Sequence, residues 1–137
     1  MSKPKLITGD NFLDERGEIK FNNDFDLSPV KRMYTITNSD YKPVRAWQGH
    51  RVEQRWFSAI EGDFTIKLIK IDNWEKPSKN LKIKSFDLNQ NSLDVLHIPA
   101  GYVTYIKSNQ NKSRLLIMSD YLLGEINDEF RFNQDYF

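Results

Sequence analysis

The run from Gln48 to Ile60 holds most of the chemistry this sequence offers. Counted by twos as an extended strand, one face presents Gln48, His50, Val52, Gln54, Trp56, Ser58 and Ile60. The other presents Gly49, Arg51, Glu53, Arg55, Phe57 and Ala59. An imidazole titrates near neutral pH and can take or give a proton, and the two amides can donate and accept hydrogen bonds. A core rarely spends inward positions on such groups, because each buried polar atom needs a partner. A hollow holding a polar ligand would supply those partners; the same parity is met if this end of the strand is exposed or faces another subunit. The second histidine, His97, shares strand parity with Leu93 and Val95 and reads as a partly buried packing residue. Trp56 reads equally as core. Cysteine is absent, which excludes a thiolate nucleophile, a disulfide framework and a zinc–thiolate site.

The elements that must position these residues are short and extended. Residues 31–37, 55–60, 64–71, 81–88, 93–98 and 113–121 are rich in Ile, Val, Thr, Phe and Tyr and are bounded by turn residues. Glu61-Gly62-Asp63 places the second and third of these at hairpin distance. Two loops stand out, 72–80 with Trp74 and Pro77, and the wholly polar 108–112. Only the tail, Glu125 to Phe130, offers a short helical turn. Several short strands without helical crossovers predict an all-β, antiparallel sandwich or barrel. A length of 137 residues fits one domain, 1–137, with no linker to justify a second. Net charge is +1 with both signs interspersed, so bulk attraction to nucleic acid is not indicated. No apolar stretch approaches the roughly 20 residues of a membrane span. Met1-Ser2-Lys3-Pro4-Lys5 leads into no apolar leader, and the cytoplasm is the default compartment.

Arg45-Ala46-Trp47-Gln48-Gly49-His50-Arg51 resembles the R-G-x-H-x-H-K/R signature of the WxcM-like cupins. That family includes the dTDP-4-keto-6-deoxyglucose 3,4-ketoisomerases and is related to the dTDP-4-dehydrorhamnose 3,5-epimerases. Lys31-Arg32-Met33-Tyr34 resembles the family's early strand, and Glu61-Gly62 its glycine turn. Leu96 to Tyr102 resembles the proline–glycine turn of its second motif, and Ser119-Asp120-Tyr121 the end of its last core strand. The similarity runs over roughly residues 12 to 137. It implies a cupin jelly-roll barrel (a double-stranded β-helix), usually a homodimer, with a dTDP-linked keto-sugar in the barrel mouth and no metal or other cofactor. The implied chemistry moves protons next to a carbonyl through an enediolate. In that setting His50 would be the base, and Tyr34 the acid or oxyanion donor; His50 reads equally as a structural histidine bonded to a loop carbonyl, and Tyr34 as a core tyrosine with its hydroxyl in water. Arg45 foremost, with Arg32, Arg55 and Arg51, would bind the diphosphate. Trp47, Trp56 and Tyr102 would stack on thymine or pack on the sugar. Gln48 and Gln54 would read hydroxyls or the keto oxygen. The N-terminal segment to about Phe25 would add to a partner's sheet.

The departures from the family pattern bear on mechanism. Its first histidine is Gln48 here, and the histidine of its second motif falls on Thr104, or on Val103 in a gapless match. The carboxylate position falls on Gln54. A cupin metal site would therefore retain one good ligand among Gln48, His50, Gln54 and Thr104, where zinc needs three or four. Two further readings stand beside the isomerase: a non-catalytic cupin that holds a nucleotide-sugar or carbohydrate, and a barrel serving only as a dimer scaffold.

Overall fold

The computed structural model describes residues 3–137; Met1 and Ser2, the head of the segment read above for a leader, lie outside the described residues. Among the described residues there are twelve strands: β1 Lys5–Ile7, β2 Asp10–Asp14, β3 Gly17–Phe21, β4 Arg32–Asn38, β5 Val44–His50, β6 Arg55–Glu61, β7 Asp63–Lys70, β8 Ile83–Asn89, β9 Val95–Ile98, β10 Tyr102–Ser108, β11 Ser113–Ser119 and β12 Phe130–Arg131. A back sheet runs β1-β9-β6-β11-β4, a front sheet runs β12-β5-β10-β7-β8, and β2 with β3 forms a separate hairpin. From β4 onward the chain changes sheet at each connection except β7 to β8. That alternation is the winding of a jelly roll.

The residues explain the layers. On β7, Phe64, Ile66 and Leu68 alternate with Thr65 and Lys67, so the three apolar side chains share the face between the sheets and are fully buried. They meet Phe57, Leu88, Leu96, Leu115 and Ile117 in one core. Each such side chain contributes about 1.5–3 kcal/mol on leaving water. Two smaller clusters cover the outer faces. Trp47, Ile69, Ile71 and Val103 lie under the C-terminal aromatics, and Trp56, Val95 and Met118 lie under Phe25 and Val30. Gly49 marks the tightest strand approach: a Cβ there would meet Val103 Cγ1 at 2.5 Å and the Tyr102 carbonyl oxygen at 2.7 Å.

Three expectations change. Glu61-Gly62-Asp63 is not a hairpin turn, because β6 and β7 lie in different sheets; Gly62, at φ 86°, turns the chain across the barrel edge. Tyr102–Ser108 is a further strand at the centre of the front sheet. Residues 125–130 form no helical turn; the chain extends into β12, whose Phe130 and Arg131 pair with Gly49 and Gln48. Residues 5–7 pair with Val95–His97 of the same chain, which gives the start of the N-terminal segment a place on its own barrel.

Candidate active site

A cavity of about 520 Å³ lies between the sheets, beside β4 and β5. Tyr34 and Ile36 come from β4, Arg45, Gln48 and His50 from β5, Arg55 and Phe57 from β6, and Thr104 and Ile106 from β10. A bulge makes this set possible. Thr104 stands opposite Gln48, but Tyr105 stands opposite Ala46, leaving Trp47 without a counterpart. Directly opposed residues share a face. Gln48 therefore follows Thr104 inward, and Arg45 follows Ile106 inward across the bulge, although 45 and 48 differ in parity.

The single strand read from Gln48 to Ile60 is two strands. β5 ends at His50, a turn occupies residues 51–54, and β6 begins at Arg55 in the other sheet. Parity restarts at the turn, so Arg55 and Phe57 face the cavity. Gln54 and Trp56 belong to the outer side of the back sheet, where the Trp56 ring stacks on His97 at 5.2 Å. His97 and Gln54 meet there too, with Nε2 and Oε1 at 2.7 Å, and Gln54 is in turn held by Asp120.

His50 is buried and its Nδ1 lies 2.9 Å from the Asp128 carbonyl oxygen. A carbonyl can only accept, so Nδ1 carries the hydrogen and Nε2 keeps its lone pair. Burial first, then the Arg55 charge, pushes the imidazole below its ordinary pKa; Glu53 and the Asp128 carbonyl pull the other way. The ring is thus held neutral and in one tautomer. Arg55 is fixed on both sides: its Nε donates to Glu53 at 2.6 Å, and its Nη1 donates to the Tyr34 hydroxyl oxygen at 2.6 Å. With that lone pair occupied, the Tyr34 O–H is left to donate elsewhere. Gln48 donates its amide N–H to Glu129, which leaves its carbonyl oxygen for another donor.

The turn carrying Glu53 hangs on Asp128. Its carboxylate accepts the backbone N–H groups of Arg51 at 2.9 Å and of Val52 and Glu53 at 2.8 Å each. The same C-terminal segment adds Arg131 and Phe132 to the cavity wall. Phe132 and Trp47 exchange backbone hydrogen bonds, while the Trp47 ring packs on Tyr105 and Phe137.

Of the residues singled out by sequence, Tyr34, Arg45, Gln48, His50, Arg55 and Thr104 converge on this cavity. Trp47 borders it, but its ring is committed to Tyr105 and Phe137 in the outer cluster rather than to a ligand, and Trp56 lies on the outer side of the back sheet. Four others do not reach the cavity. Arg51 is exposed in the turn, because β5 has already ended. Gln54 is on the far side of the back sheet. Tyr102 is buried with the core at the other end of β10, and burial raises its pKa. Arg32 stacks against the Tyr34 ring at 5.2 Å, outside the cavity lining, with its buried Nε unpartnered. The sequence reading missed Asp128, Glu129, Arg131 and Phe132, whose stretch carries no family motif and no alternation to mark it.

No protein-family model and no curated protein matches this sequence. Solved structures do. A 3,4-ketoisomerase from Helicobacter canadensis superposes with a TM-score of 0.73 at 20% identity, over 96% of this chain and 92% of that one. A sugar 3,4-ketoisomerase from Thermoanaerobacterium thermosaccharolyticum, in complex with TDP, gives 0.70 at 24% identity over 97% and 90%. The Mycobacterium tuberculosis rmlC epimerase gives 0.74 at 12% identity over 94% and 68%. The fold is a cupin barrel. Among the described residues of this cupin, no three His, Asp or Glu side chains are grouped as a metal ion would require. Of the positions compared above with a cupin metal site, Gln48, His50 and Thr104 share the cavity and Gln54 is outside it.

Proposed function

We propose that the chain is a nucleotide-sugar isomerase that moves protons on a dTDP-linked 4-keto-6-deoxyhexose without a metal, as a 3,4-ketoisomerase or epimerase in deoxysugar and surface-polysaccharide biosynthesis. The observation that carries this reading is the buried His50, hydrogen-bonded through Nδ1 so that Nε2 keeps its lone pair, in the lining of a cavity that also holds the Arg55-oriented Tyr34. The Nε2 lone pair takes the proton from the carbon beside the ketone. The bonding electrons pass to the carbonyl oxygen, giving an enediolate that the Tyr34 O–H stabilises. For ketoisomerisation the proton of the adjacent hydroxyl passes to the former carbonyl oxygen while a proton returns to the former carbonyl carbon, leaving the ketone one carbon along; for epimerisation the proton returns to the opposite face of the carbon that lost it. Arg45 and Arg131 at the cavity suit the diphosphate, and Gln48 and Thr104 suit sugar hydroxyls. The likeness to a sugar 3,4-ketoisomerase described in complex with TDP supports the ligand. The chain acts as one domain, as a homodimer and in the cytoplasm.

Incubation with dTDP-4-keto-6-deoxyglucose in heavy water, read by mass spectrometry, tests this. Wild type should incorporate deuterium at carbon. The His50→Asn variant should lose this exchange by about 10²–10⁴-fold, while dTDP still raises its melting temperature. Unchanged exchange in His50→Asn would overturn the assignment. A binding-only reading draws on the non-titrating Gln48 and Thr104 in the cavity, and it requires stabilisation of wild type by dTDP with no deuterium uptake.

A further inference from the structure

Glu53 is a buried carboxylate that lies outside the cavity lining, so it is not placed to meet a ligand. On the side of the base its Oε2 lies 3.7 Å from His50 Nδ1. That is too long for a hydrogen bond, and the Nδ1 hydrogen is already given to the Asp128 carbonyl at 2.9 Å. Glu53 is therefore not the orienting partner of the base. Its Oε2 instead accepts the Arg55 Nε–H at 2.6 Å and stands in an ion pair with Nη2, so that one edge of the guanidinium is engaged. The remaining nitrogen, Nη1, donates to the Tyr34 hydroxyl oxygen at 2.6 Å. A chain of contacts thus runs from the turn after β5, through the first residue of β6, to Tyr34 of β4 in the cavity wall.

Stability alone gives little reason for this arrangement. Withdrawing two charges from water costs much of what their attraction returns, and apolar side chains of the same volume serve a core as well or better. What the pair supplies is geometry. A guanidinium is planar, so pinning one edge fixes the direction of the other. Unpinned, it is free to turn toward any anion that enters the cavity. Pinned, it keeps an N–H on the Tyr34 oxygen. That contact leaves the Tyr34 O–H to donate to a ligand and, by polarising it, makes it a stronger donor. We infer that Glu53 is a positioning residue of the reaction: through Arg55 it fixes and polarises the Tyr34 hydroxyl that meets the enediolate oxygen, without touching the substrate itself. The assignment rests on the isomerase reading.

Deuterium exchange in dTDP-4-keto-6-deoxyglucose, resolved into kcat and KM and set beside the melting temperature of each variant, tests it on the intact chain. Glu53→Gln should lower kcat by about 10²-fold with KM near the wild-type value. Its melting temperature should fall too, because a guanidinium is left buried and alone. Glu53→Asp keeps the charge on a side chain one methylene shorter; it serves if Glu53→Gln melts early, and should lose kcat while melting close to wild type. Adding Glu53→Gln to Arg55→Gln leaves no lone buried charge, so the double variant should melt higher than Glu53→Gln. Its kcat should equal that of Arg55→Gln, since the carboxylate acts only through the guanidinium. A carboxylate that merely balanced a buried charge would instead let kcat return with the melting temperature. That return, an undiminished kcat in both Glu53→Gln and Glu53→Asp, or a loss in the double variant beyond that of Arg55→Gln would overturn the role of Glu53 and leave the isomerase reading standing. A wild type that takes up no deuterium removes both.

Discussion

His50 has two nitrogens with different fates. One is committed to the Asp128 carbonyl; the other keeps its lone pair, in a buried ring that lines the cavity beside a guanidinium that disfavours a second proton. The consequence is a pH dependence of defined sign. Deuterium exchange in the ketose, measured as kcat/KM, should be level above neutrality and should fall as pH drops through a pKa below the ordinary imidazole value of about 6.5. A limb centred above that value would contradict the environment described. Stability follows the same sign. Both His50 and His97 have pKa values lowered chiefly by burial, so the unfolded chain binds protons more readily than the native one. The stabilisation is complete above about pH 6.5 and is lost as pH falls from there through the folded-state values. Replacing His50 with Asn should make the decline in melting temperature over that window shallower.

At the scale of elements, the C-terminal segment governs the site more than its length suggests. Asp128→Ala removes the acceptor for three backbone N–H groups, of which those of the exposed Arg51 and Val52 can turn to water, while leaving the buried Glu53 N–H unsatisfied costs about 1–3 kcal/mol. The urea midpoint should fall accordingly. Asp128→Asn should recover only part of the loss, since its single oxygen cannot serve groups now divided between Oδ1 and Oδ2. Equal midpoints for wild type and Asp128→Ala would show that the turn stands without this carboxylate. This dependence was illegible in the sequence, whereas β4, β6, β7, β8 and β11 were readable from alternation because each has one face in the core. The Trp47 bulge leaves no trace in hydrophobic patterning, and the turn at 51–54 holds no Gly or Pro to mark it, so counting by twos merged β5 with β6. Phe130 and Arg131 are extended only because β5 offers an edge to pair with; nothing local dictates it. His50 and Gln48 were identifiable because polar side chains on an otherwise core-building face demand partners. The partners themselves lie in distant segments.

At the scale of the molecule, the back sheet ends in an unpaired edge at β4 that carries Met33, 71% exposed, and the β2–β3 hairpin presents Phe12, Leu13 and Ile19 to solvent. Exposed apolar side chains beside a free strand edge favour self-association. Light scattering at micromolar concentration should give twice the chain mass of 16.2 kDa, and Met33→Lys should shift the population toward monomer. A wild-type monomer would count against the dimer.

The bond between His50 and Asp128 spans 78 residues of chain. On a ribosome, the imidazole emerges long before the carbonyl that fixes its tautomer has been made. Until that late segment clears the exit tunnel, His50 is an ordinary histidine, free to place its hydrogen on either nitrogen. A nascent chain stalled before Asp128 would carry most of the barrel strands and no selected base.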